Sequence, residues 1–152
     1  MNIKYALFAI FLIWFPASNV YANGLELVEL IDGREIRVQL FNGVPLSGSC
    51  SGWRWGAEGE CPSMQISEIN IDVDGKEIFI PRSAYSDLAA PTKIKLLPGK
   101  KNTGFDLVIS GGDAALAFQA VLSFSFNRIL QRKVFSMEFK DKAWEQTRYS
   151  FP

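Results

Sequence analysis

The residues best suited to chemistry lie between the only two cysteines, Cys50 and Cys61: Trp53, Arg54 and Trp55, followed by Glu58 and Glu60. Two carboxyl groups set among aromatic rings are what glycoside hydrolysis uses, one acting as acid and the other as base or nucleophile. That chemistry needs one carboxyl desolvated so that it keeps its proton near neutral pH. A glycine-rich loop of this size offers little burial, so a solvated acidic rim is expected for Glu58 and Glu60. No histidine occurs anywhere in the chain. Its absence removes His-activated serine and cysteine nucleophiles and most zinc and transition-metal sites. No Ser-x-x-Lys arrangement replaces it, and no enzymatic activity, cofactor or metal is expected.

Binding is the chemistry left to this loop. Trp53 and Trp55 stand two apart, so an extended backbone projects both to one side. Tryptophan and arginine are the favoured anchors of protein contacts, and Arg54 sits between the two indoles. Paired indoles can equally stack on sugar rings. The competing structural role is a lid, with one or both rings folded over an open end of the core, as exported β domains often bury a Trp near a disulfide. Pairing of Cys50 with Cys61 is expected in an oxidising compartment, and closing such a loop is worth about 2–3 kcal/mol.

The elements that must hold this loop read as strands. Leu25 to Ile31 and Arg34 to Phe41 flank Asp32-Gly33, and Ile36, Val38 and Leu40 alternate with polar residues, the mark of a hairpin. Asn42-Gly43 and Pro45 end it and launch the connection carrying the loop. A second hairpin is expected over Ile66 to Pro81 around Gly75. Asn70-x-Asp72-x-Asp74-Gly75 opens like a calcium-binding EF-hand loop, but its twelfth position is Pro81 instead of a bidentate Glu, so a strand with an acidic face is expected. Ser83 is placed to cap a single helical turn before Pro91. Lys93 to Leu97 and Phe105 to Ser110 follow as strands. Gly111-Gly112 is a turn. Ala114 to Phe126 alternates with period two and is expected to be a central strand, despite an alanine-rich start that leaves Ala114 to Leu122 open to a helical alternative. Ile129 to Phe139 and Trp144 to Phe151 close the chain as a hairpin, with Arg128, Arg132 and Lys133 expected on an exposed edge or turn. A last strand ending in Tyr149 and Phe151 could belong to a membrane barrel, but Glu145 on the same face would meet lipid. Eight or nine short strands with at most one helical turn imply an all-β, antiparallel sandwich or small barrel.

Residues 1–22 have the layout of a secretory signal: Lys4, an apolar run from Tyr5 to Phe15, Pro16, and a cleavage site at Val20-Tyr21-Ala22. That run is too short to span a bilayer, which needs about 20 residues. The expected product is one all-β domain over residues 23–152, periplasmic or secreted, without integral membrane insertion. The whole chain has 16 Lys and Arg against 16 Asp and Glu, so no nucleic-acid partner is implied. Residues 23–90 carry 5 basic against 11 acidic side chains, and residues 91–152 carry 10 against 5. Halves of a sheet protein are expected to interleave, which would leave only a hint of a dipolar surface. The functional expectation is an exported binding protein, of inhibitor or immunity type, that contacts an envelope macromolecule through the disulfide-braced Trp loop. A glycan-binding module or a structural envelope component is the alternative.

Overall fold

The computed structural model describes residues 20–21, 24–45, 54–57, 61–100 and 103–151. The chain forms a β-sandwich of two antiparallel sheets, each a plain meander of consecutive strands. The first sheet runs β1 (Val20–Tyr21), β2 (Gly24–Ile31), β3 (Arg34–Gly43), β4 (Gln65–Val73) and β5 (Lys76–Glu77). The second contains β6 (Pro91–Pro98), β7 (Phe105–Gly111), β8 (Phe118–Ser125), β9 (Arg128–Ser136) and β10 (Glu145–Arg148), again neighbour to neighbour. Two single-turn 3₁₀ segments, Arg82–Ala84 and Ala114–Leu116, stand between strands. Residues 1–19 of the expected leader lie outside the description. Val20 and Tyr21, within that leader, pair with Leu25 and Gly24, so cleavage after Ala22 would leave the first sheet with four strands.

Two tight turns set the register of the first sheet. Asp32 and Gly33 have φ of 52° and 76°, and Asp74 and Gly75 have 53° and 76°. Both central residues are left-handed in each turn, the type I′ geometry whose twist matches that of the flanking strands. Asp74 also accepts the Glu35 backbone N–H at 3.0 Å and an Arg34 Nη1 donor at 3.3 Å. The aspartate of the EF-hand-like run thus fastens one hairpin to the other.

Alternation then builds the core. Ile36, Val38 and Leu40 of β3 share an inward face with Ile69, Ile71 and Val73 of β4, and they join Leu107, Ile109, Leu122 and Val134 of the second sheet in one apolar cluster. Phe105 and Phe124 stack there with ring centroids 5.0 Å apart.

Three local expectations are corrected. The cap residue of the Arg82–Ala84 turn is Pro81, with no side-chain cap, so Ser83 lies inside the turn. The central strand of the second sheet starts at Phe118, not Ala114; Ala114 takes φ of 43° and leads a 3₁₀ turn instead. Alanines offer the pleated surface little to pack, and the left-handed Gly112 and Ala114 carry the chain through the Ala114–Leu116 turn before the ladder with β7 begins at Phe118. Arg132 is not on an exposed edge: β9 lies between β8 and β10, and this arginine is 2% exposed. The cause is a bulge. Ser123 pairs with Gln131 but Phe124 with Ile129, which leaves Leu130 as an extra residue. One extra residue flips the alternation beyond it, so Arg132, Val134 and Ser136 turn inward.

The expectation that the halves interleave also fails, because each sheet is built from one half of the chain. Residues 78–90 cross from the first sheet to the second and bury Ile78, Ile80, Ala84, Tyr85, Leu88 and Ala89 along one open side of the sandwich. On the other side β2 and β6 lie in contact. There burial pushes the Glu29 carboxyl above its ordinary value, with Lys95 pulling it back. Among the described residues no helix is long and apolar enough to cross a membrane.

Candidate functional site

The Trp loop meets the rest of the protein at the side filled by residues 78–90. Its described base, residues 54–57, is laid down as a short parallel partner of the segment beside it. The Trp55 N–H donates to the Asp87 carbonyl at 2.9 Å, and the Ala89 N–H donates to the Trp55 carbonyl at 2.8 Å. On the other side of that segment, the Ile66 N–H donates to the Leu88 carbonyl at 3.1 Å, and the Ala90 N–H to the Met64 carbonyl at 3.0 Å. Arg54 spans the same junction, its Nη1 donating to Gln65 Oε1 at 2.7 Å and to the Ser86 carbonyl at 3.0 Å.

Glycines make this approach possible. Gly56 has φ of 84°, and a Cβ on it would lie 2.8 Å from Phe118 Cε1 and 2.9 Å from the Ala89 carbonyl. A Cβ on Gly112, at φ of 70°, would come within 2.9 Å of the Gly56 Cα. Gly111-Gly112 therefore does more than turn the chain: its backbone is the surface on which the loop base rests.

Trp55 points inward and is 7% exposed. Its indole Nε1–H donates to Glu145 Oε2 at 3.1 Å. Behind Glu145 stands Arg132, whose Nη1 and Nη2 make a bidentate pair with the Asp87 carboxylate at 2.8 and 2.6 Å. Arg132 Nη1 also donates to the Ser83 carbonyl at 2.9 Å, and Nη2 lies 3.5 Å from Glu145 Oε2. A buried guanidinium is tolerable only when paired and hydrogen-bonded, and two carboxylates from different elements meet that need. One charged cluster thus joins the crossing segment, β9, β10 and the loop. Tyr149 borders it, and burial raises its phenol pKa, with Arg132 opposing.

Above this anchor the aromatic surface opens to solvent. Trp144 packs edge-on against Trp55, centroids 6.2 Å apart, and stacks with Phe139 at 6.1 Å with ring planes 23° apart. Trp144 is 57% and Phe139 55% exposed. These two rings flank the Lys140 to Ala143 connection, and sequence reasoning placed them only as strand ends. An aromatic at each end of a polar turn was the available signal. Among the described residues no group of three or more potential ligands could hold a metal ion.

Of the loop residues singled out in the sequence, Arg54, Trp55 and Cys61 are among those described. Arg54 and Trp55 come together at the loop base, where Trp55 takes the lid orientation. Cys50, Trp53, Glu58 and Glu60 lie outside the described residues, and among those described there is no free cysteine.

No family model, no curated protein and no solved structure matches the chain.

Proposed function

We propose that the chain is an exported binding protein, periplasmic or secreted after removal of residues 1–22, that blocks or protects an envelope protein in the manner of an inhibitor or immunity protein. The observation that carries this reading is the locked base of the Trp loop, with Trp55 tied to Glu145 at 3.1 Å beside the exposed Phe139 and Trp144 pair. Closure by a Cys50–Cys61 disulfide belongs to the same proposal. A loop fixed at its base and braced across its ends loses little conformational freedom on binding, so more of the contact energy appears as affinity. Large aromatics at the edge of such a loop are the side chains that most often anchor a partner. Trp53, Arg54, Glu58 and Glu60 would then border the contact, with Phe139 and Trp144 as its apolar centre.

Affinity capture from envelope extract with the wild type and with a Phe139→Ala/Trp144→Ala variant tests this. A protein bound by the wild type and lost by a folded variant supports the reading; identical capture by both counts against it. Recognition of a glycan is the alternative, favoured by the same exposed stacked rings. A change of tryptophan fluorescence on adding oligosaccharides or peptidoglycan fragments, without any captured protein, would favour it.

A further inference from the structure

The two outer faces of the sandwich carry opposite charge. On the first sheet Glu26, Glu35, Glu68, Asp72 and Glu77 point outward, and Arg37 is the one outward cation among the described strand residues. Exposed Val28, Leu30 and Phe41 lie among them, with Leu30 at 76%. On the second sheet Lys93, Lys95, Lys133 and Arg148 point outward against Asp106, among serine, glutamine and valine side chains and the partly buried Leu97 and Phe135. This segregation follows from the topology, because each sheet is one contiguous half of the chain.

We infer that copies of this chain associate head to tail, the basic outer face of the second sheet seating on the acidic outer face of the first sheet of the next copy. This inference is independent of the Trp loop. The complement to the acidic face is on the molecule itself. The chain as a whole is neutral, with 16 basic and 16 acidic side chains, so no net repulsion opposes contact between copies. A two-fold dimer through either face would set like charge on like. A heterologous contact avoids that and leaves a free face at each end for further addition. A face about four strands wide and seven residues long covers on the order of 450 Å². Doubled, this falls below the roughly 1,200 Å² of stable complexes, so the association is weak, reversible and sensitive to salt.

Sedimentation velocity of the exported chain at rising concentration, in about 20 mM and about 500 mM NaCl, tests the inference. The expected result is a weight-average sedimentation coefficient that climbs with concentration at low salt and stays at the monomer value at high salt. A Glu68→Lys/Asp72→Lys variant and a Lys93→Glu/Lys133→Glu variant should each remain monomeric at low salt. Mixing them should restore association, because each retains the face the other has lost; restoration also shows that both are folded. A monomer at every salt and concentration, or association unchanged by either variant, overturns the inference.

Discussion

Replacing Asp87 by alanine tests whether the charged cluster holds the loop base in place. The substitution leaves the Arg132 guanidinium at 2% exposure with Glu145 Oε2 3.5 Å away as its remaining carboxylate. Breaking a buried pair by removing one partner costs about 3–5 kcal/mol, because the other charge stays buried without compensation. Asp87 keeps 29% of its side-chain surface and Glu145 supplies part of the missing charge, which puts the expected loss near the lower bound, about 3 kcal/mol. For a domain of this size that lowers the melting temperature by roughly 10–15 °C. Urea unfolding followed by circular dichroism measures the loss directly. The control is the double variant Asp87→Leu/Arg132→Met, which removes both charges, fills the space with apolar atoms, and should return to within about 1 kcal/mol of wild type. An Asp87→Ala loss under about 1 kcal/mol, or a double variant as unstable as Asp87→Ala, would refute the reasoning.

Trp55→Phe keeps an aromatic ring but removes the N–H that reaches Glu145; a loss of about 1–2 kcal/mol is expected, measured in the same urea assay. Gly56→Ala places a methyl group 2.8 Å from Phe118 Cε1 on a backbone at φ of 84°, and should cost at least about 2 kcal/mol in thermal unfolding. Burial raises the Glu29 carboxyl above its ordinary value, so the folded chain holds that proton more tightly than the unfolded chain. Stability from this group therefore falls as pH rises between the unfolded and folded values. Glu29→Gln should raise stability at neutral pH, with the gain vanishing below about pH 4; a gain that persists in acid would contradict this.

The hairpins were legible because their signals are local. Asp32-Gly33 and the Asp74-Gly75 pair turn the chain where the flanking alternation requires it, and the strands follow. The inward turn of Arg132 was not legible, since the extra residue in β9 carries no mark in composition and Leu130 looks like any strand leucine. Its partner Asp87 lies 45 residues away in a segment without periodicity. The orientation of Trp55 depends on the ladder it forms with residues 87–89, a contact that neighbouring residues do not announce. The charge asymmetry between the halves was visible as a count, but its meaning waited on topology: two successive meanders convert it into two oppositely charged faces. Phe139 and Trp144 were read as strand ends because their exposure depends on where β9 stops, at Ser136.

If the stacked Phe139 and Trp144 rings beside the locked loop base form the proposed contact surface, their removal must weaken binding without unfolding the chain. The most direct test is calorimetric titration of the captured envelope protein into wild type and into Phe139→Ala/Trp144→Ala, with melting temperatures recorded for both. Loss of an anchoring aromatic pair predicts affinity weaker by about 30-fold or more, equivalent to roughly 2 kcal/mol, at a melting temperature within a few degrees of wild type. Equal affinity for the two proteins would contradict the claim.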